Sequence, residues 1–231
     1  MKIVTIHQPE HLSYLGFFHK VRMADELVLL DNVQFEKNYF QNRNRIYTSN
    51  GEKYITVPVT NKNDIISRVQ LSKEWEYQKK KNIKKIELAY RNAPYWKKYG
   101  EQFIRVYDGY YVTLEALNVA LLEFVLRVLN IGTNIVFAES MQNAVGSKTD
   151  LLVNILKERE ADKYIAGCSG RDYLELEKFG DIKVEFQNFK HPVYTQYSRT
   201  EFKPYMSVID AIFNVGENII EIIDSVNGSK K

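Results

Sequence analysis

"KIVTIHQPEHLSYLGFFHKVRMADELVLLD" (residues 2–31) holds two short apolar runs separated by a segment with a different period. Residues 2–7 read as a buried strand, with Ile3, Val4 and Ile6 stopped by Pro9. Leu15, Phe18 and Val21 then recur at three-residue spacing, which predicts a helix capped by Ser13. "ELVLLDNVQF" returns as a second strand, apolar up to Asp31. Strand, helix and strand in this order predict a right-handed βαβ unit. The polar residues His7 and Gln8 then stand at the carboxyl end of a first strand, where open α/β sheets bind their ligands.

Downstream, the period changes. "NRIYTSNGEKYITVPV" sets Asn50-Gly51 between two β-prone runs, a hairpin signal, and Pro58 pushes the second arm toward an edge. An antiparallel hairpin extending a mostly parallel sheet is the expectation. Helices follow at 78–93, from Trp96, and at 114–129, the last apolar around much of its circumference. "TNIVFAE", "KYIAG" and "IKVEFQNF" read as strands, 148–159 as a helix, and 207–226 as a helical tail. The class is α/β, in a single domain over 1–231 with a helical insertion at about 75–130.

Composition narrows the function. The chain of 231 residues is 45% hydrophobic and 26% charged, with a net charge of +3, so no global field calls for nucleic acid. Residues 73–100 carry nine Lys/Arg against three Glu, a basic segment suited to phosphates or an anionic membrane surface, or simply a solvated helix face. Cys168 is the only cysteine, which excludes an internal disulfide and suits a reducing compartment. "MKIVTIHQPE" reaches polar residues too early for a signal peptide, and "LNVALLEFVLRVLNI" is too short and too charged to span a bilayer. A cytoplasmic location is expected.

"IHQPEHLSYLGFFHKVRMADELVLLDNVQFEKNYFQNRNRI" resembles the opening block of the WbqC-like protein family. "YITVPV", "AYRNAPYW", "YIAGCSGRDYL", "FQNFKHPVYTQ" and "MSVIDAIFNVG" resemble its later blocks. The resemblance implies a place in bacterial O-antigen and surface-polysaccharide synthesis, and a glycine or other aminoacyl transfer onto amino sugars. Where the family reads Tyr-Leu-Pro-Trp, this chain has His11-Leu12-Ser13-Tyr14. The aromatic position persists at Tyr14, while the loss of proline loosens a loop that bears on substrate identity.

The candidate residues each have a bland counterpart. His7 is a candidate acid–base group, or a loop tie to the backbone. His7 and His11 are four apart, but Pro9 breaks the helical spacing a zinc pair needs, so no metal is expected. Asp31 and Gln34 would share the rim with His7, where Asp31 could orient the imidazole or hold an amino sugar; an Asp-Asn turn is the other reading. If 43–48 is extended, Arg43 and Arg45 share one face and Asn42 and Asn44 the other. Two guanidiniums, with Lys37 as a third cation, match a diphosphate, although an edge strand also carries such charges for protection. Ser169, between Gly167 and Gly170, could offer backbone amides to an oxyanion. Cys168 beside it reads better as a small thiol than a nucleophile. His191, held extended by Pro192, and Tyr194 could complete the site or form a surface corner.

Three functions follow. The first is an acyl or aminoacyl transferase acting on a nucleotide-linked or otherwise phosphorylated amino sugar. In it His7, Asp31 and His191 do the chemistry, and Gln8, Tyr14, Gln34, Lys37, Asn42–Arg45, Ser169 and Tyr194 bind. The acyl donor and any cofactor stay open, and an aminoacyl-tRNA donor is the one nucleic acid admitted. The second is a nucleotidyl- or adenylyl-type transferase, by fold analogy alone, because the His-x-Gly-His pairing of that superfamily is missing. The third is a non-catalytic partner of polysaccharide enzymes that docks through the basic segment.

Overall fold

The computed structural model describes residues 1–228. Five strands form one parallel sheet: β1 (Ile3–His7), β2 (Glu26–Leu29), β5 (Asn134–Phe137), β6 (Lys163–Ala166) and β7 (Lys183–Phe186). Their spatial order is β5-β2-β1-β6-β7, with β1 in the centre. The α/β class and the mostly parallel sheet are as expected. Both faces are covered, as parallel sheets require. Along β2, Leu27 and Leu29 enter one core and Val28 the other, joined there by Val4 and Ile6 of β1.

The smaller core is closed by α5 (Lys148–Glu158), whose Leu152, Ile155 and Leu156 pack with Tyr164 and Phe179. The larger core receives α1 (Leu15–Arg22) and the helices α2 (Trp75–Tyr90), α3 (Trp96–Tyr107) and α4 (Leu114–Val128). The helical segment expected at 75–130 therefore shares the core that covers the sheet. Ser13 does not cap α1. Tyr14 takes the capping position without a side-chain bond, and Ser13 instead accepts the Val208 amide on its carbonyl.

The hairpin forms as β3 (Arg43–Thr48) and β4 (Gly51–Thr56), but it stands as a separate two-stranded sheet. Its apolar face, Ile46 and Ile55, is buried in the helical core beside α2, so it packs under helices and leaves the sheet edges to β5 and β7. The turn is Ser49-Asn50, one residue earlier than expected. Gly51, at φ +82°, opens β4 in the left-handed region that follows such turns.

The tail is two helices rather than one, α6 (Val208–Val215) and α7 (Ile219–Asn227). The break is Gly216, at φ 63° and ψ −146°, a conformation open to glycine almost alone. A Cβ there would meet the Tyr95 ring at 2.3 Å. Gly216→Ala is expected to cost about 2–4 kcal/mol in urea unfolding, from backbone strain plus overpacking. A variant as stable as the parent would contradict this account of the break.

Candidate functional site

The strand order places a reversal of winding between β1 and β6: the chain lays β2 and β5 to one side of β1, then β6 and β7 to the other. Ligands of open α/β sheets bind in the crevice at such a point, beyond the strands' carboxyl ends. A cleft of about 430 Å³ lies there, lined by His7, Gln8, Glu10, Lys20, Glu36, Tyr39, Gly167, Ser169 and Tyr173 among others. β1 delivers His7 and Gln8 directly. α1 delivers Lys20, and the turn leaving β6 delivers Gly167 and Ser169.

Three of these side chains form one chain of polar contacts. His7 Nε2 lies 3.1 Å from Glu10 Oε1, and the Lys20 ammonium lies 3.0 Å from His7 Nδ1. An ammonium can only donate, so Nδ1 accepts, and Nε2 carries the proton that goes to Glu10. Lys20 also donates to the Ile6 carbonyl at 3.2 Å. Burial, then the neighbouring Lys20 charge, lower the His7 pKa, so the imidazole is neutral at pH 7. Burial pulls Lys20 down to about 8 against the opposing charges of Glu10 and Cys168. Burial alone would raise Glu10, but the attraction of His7, its hydrogen bond, the Ser13 hydroxyl and Lys20 outweigh it and hold the carboxyl below its usual range. The cleft thus holds a carboxylate, a neutral imidazole and an amine that titrates close to physiological pH.

Behind the cleft, a buried network fixes Gln8. Gln41 Nε2 donates to Gln8 Oε1 at 2.8 Å, and Gln41 Oε1 accepts the Glu36 amide. Asn118 donates to the Gln41 carbonyl, which leaves its Oδ1 to accept from His11 Nδ1 at 3.0 Å. His11 Nε2 then accepts from the Tyr107 hydroxyl at 3.2 Å, and that hydroxyl accepts from Asn82. His11 is fully buried, and this burial drops its pKa to about 4 despite the Asn118 bond. The unfolded chain takes up that proton near pH 6.5, the folded one only near 4, so stability falls as pH drops through this window. The expected loss is about 3 kcal/mol. Urea unfolding at a series of pH values measures it. A His11→Gln variant should flatten the slope, and a slope unchanged in that variant would contradict the assignment.

Other expected site residues go elsewhere. Asp31 follows β2 but turns away from His7: its Oδ1 accepts the Glu139 amide at 2.7 Å. Burial raises the Asp31 carboxyl, and burial with the Asp31 charge pushes nearby Glu115 to about 8, so this pair holds a proton at neutral pH. Glu10 and Lys20, not Asp31, orient the imidazole. Gln34 donates to the Asp64 carbonyl, outside the cleft. Arg43 and Arg45 do share a face opposite buried Asn42 and Asn44, but that face meets solvent. Arg43 lies over the Tyr54 ring and Arg45 pairs with Glu52 at 2.6 Å. Asn42 donates to the Val57 carbonyl and Asn44 to that of Leu12, both holding backbone. Lys37 lines a separate cleft of about 520 Å³ with Lys62 and Lys73.

His191 accepts the Tyr205 amide at Nε2 and reaches the Pro192 carbonyl through Nδ1, so both nitrogens are engaged within the 191–205 segment. Tyr194 is buried and donates to Asp210. Both serve that segment's packing rather than the cleft. Tyr14 packs on Phe189 and Tyr205. Burial, then the charges of Cys168, Glu10 and Tyr205, raise its phenol to about 12. Ser169 does line the cleft, as expected, and so do His7 and Gln8.

Glu10, Lys20, Glu36, Tyr39 and Gln41 were not foreseen. For Lys20 a signal existed: every residue from Leu15 to Val21 is buried, so a lysine inside that short apolar helix has no outer face to occupy. Among the described residues no cluster of three or more His, Cys, Asp or Glu is placed to hold a metal, and no helix is long and apolar enough to cross a membrane.

The winding defines a doubly wound α/β domain with a charged crevice at its topological switch point. Residues 8–222 match the WbqC-like protein family, and the chain belongs to that family. Over 223 residues it is 29% identical to "Uncharacterized protein Rv1507c" of Mycobacterium tuberculosis (strain ATCC 25618 / H37Rv), covering 94% of this chain and 95% of that one. No solved structure matches it.

Proposed function

We propose that the protein is a transferase of bacterial surface-polysaccharide synthesis that moves a small acyl or aminoacyl group onto the amine of a nucleotide-linked amino sugar. The observation that carries this reading is the Glu10–His7–Lys20 chain at the crevice. Acyl transfer to an amine needs a proton acceptor at the attacking nitrogen. The nitrogen lone pair adds to the acyl carbonyl, a C–N bond forms, the ester or thioester bond to the donor breaks, and the ammonium proton must leave.

Lys20, with a pKa of about 8, is neutral in roughly one molecule in ten at pH 7 and takes that proton. His7 stays neutral and accepts an N–H of Lys20 at Nδ1, which holds the loaded amine in place, while Glu10 orients the ring through Nε2. The proton then returns to the departing oxygen or sulfur of the donor. Glu10 and Glu36 in the cleft wall suit an amino sugar, and Ser169 offers a hydroxyl on the β6 side.

A second reading, adenylyl transfer, draws on the strand order, which is that of nucleotide-binding sheets. In that reading Lys20 would stabilise a departing pyrophosphate. One experiment separates the two. The protein is incubated with UDP-linked amino sugars and a panel of donors (glycyl-tRNA, acyl-CoA, glycine with ATP), and the products are weighed by mass spectrometry. A mass gain of one acyl group that is lost in Lys20→Met supports transfer. Pyrophosphate exchange into ATP without any gain favours adenylylation, and neither signal contradicts both.

A further inference from the structure

The basic segment is not a uniformly solvated helix face. Apart from the adjacent pair Lys80 and Lys81, the residues Tyr77, Lys80, Lys81 and Lys84 stand three, four or seven positions apart, so they form one stripe down α2, and Lys73 lies in the turn just before the helix. The stripe starts in the cleft that Lys73 shares with Lys37 and Lys62. The ion pairs of α2 and α3 engage Lys79 and Lys98. Among the described residues, none of the stripe lysines meets a carboxylate.

Lys53 of β4 and Lys85 crowd the flank. Burial first, then the charges of Lys53 and Lys81, lower the Lys85 pKa, which marks a face short of counter-charge. Two tyrosines stand open beside the lysines. Tyr77 is 66% exposed with the Lys81 ammonium 4.2 Å from its ring centre, and Tyr54 is 48% exposed beneath Arg43 at 4.5 Å.

We propose that this stripe binds single-stranded RNA, with the phosphodiester backbone on the lysines and bases on the tyrosine faces. Length favours a strand over a single diphosphate. From Tyr77 to Lys84 the helical rise gives about 10 Å, the span of about three stacked nucleotides, and Lys73 with its cleft continues the basic row past the start of the helix. Stackable rings between cations are the pattern of single-strand binding surfaces. A helix seated in a membrane would turn an apolar face outward, whereas α2 turns Ile86 and Tyr90 into the core and exposes Leu88 alone among its large aliphatic side chains. The inference does not depend on the chemistry assigned to His7 and Lys20.

The test is fluorescence polarisation of the full chain with a labelled single-stranded RNA of about 12 nucleotides. With about five phosphates neutralised, affinity should fall about a hundredfold between 50 and 200 mM salt. Reversing Lys80, Lys81 and Lys84 to Glu together should weaken binding by at least tenfold and flatten the salt dependence. Tyr77→Ala should weaken it about tenfold while leaving the salt slope intact. Circular dichroism of each variant should match the parent, and the single Tyr77 change keeps the test decisive if the triple variant unfolds. No binding at 50 mM salt, or equal binding by the variants, overturns the proposal. So does capture by phosphatidylserine vesicles that RNA fails to displace.

Discussion

Replacing Lys20 with methionine is expected to lower group-transfer turnover by about a thousandfold, within the range of a lost general base. Methionine keeps the apolar stem that lies in the α1 core and removes only the amine. Removing the cation leaves the Glu10 carboxylate short of counter-charge, so the exchange should also cost about 3 kcal/mol of stability, and turnover is compared per folded molecule by urea unfolding. The pH profile gives the sharper readout. Lys20 must be neutral to accept a proton, and its pKa sits at about 8. The parent's rate should therefore climb from pH 6.5 toward 8 and level off above it. In Lys20→Met the residual rate should lose that limb. A variant with near-parental turnover and an unchanged profile would remove Lys20 from the chemistry.

Asp210→Ala is expected to cost about 4 kcal/mol of folding stability, the largest single loss outside the apolar core. Asp210 is fully buried on α6 and accepts three hydrogen bonds: from the Tyr90 hydroxyl at 2.9 Å, the Tyr194 hydroxyl at 2.8 Å and Gln196 Nε2 at 2.8 Å. Tyr90 in turn accepts the Tyr47 amide, so one carboxylate ties α6 to α2, to the hairpin and to the 191–205 segment. Alanine strands three buried donors at once. Tyr194→Phe, which removes one donor together with its need, should cost about 1 kcal/mol. Urea unfolding of the two variants checks the ratio. A loss below 1 kcal/mol for Asp210→Ala would show that water or rearrangement satisfies those donors.

Much of the frame was legible in the sequence because it rests on local periodicity. The apolar runs around Val4 and Val28, and the three-residue recurrence of Leu15, Phe18 and Val21, gave β1, α1 and β2 with boundaries close to those found. The period-2 reading also put Arg43 and Arg45 on one face and Asn44 on the other. What it could not supply was the object opposite each face. That depends on hairpin packing beneath α2, a contact between segments some forty residues apart. Asp31 was misplaced for the same reason: the end of a strand is a local property, while the direction of its side chain is set by Glu115 and Glu139 on distant elements.

The tail broke at Gly216 because of a backbone angle and the Tyr95 ring, neither visible as periodicity. Within the site, His7, Gln8 and Ser169 were found by their places at strand ends. Lys20 was passed over because helix patterning treats a lysine as an outward residue, and α1 has no outward face.

The central claim is that Lys20 donates to a neutral His7, whose other nitrogen gives its proton to Glu10. The direct measurement is the 15N spectrum of the His7 imidazole as a function of pH. The account predicts the Nε2–H tautomer at pH 7, protonation of the ring below pH 6.5, and a second perturbation of Nδ1 near pH 8 that vanishes in Lys20→Met. An Nδ1–H tautomer, or a His7 that titrates at or above pH 6.5 regardless of Lys20, would contradict it.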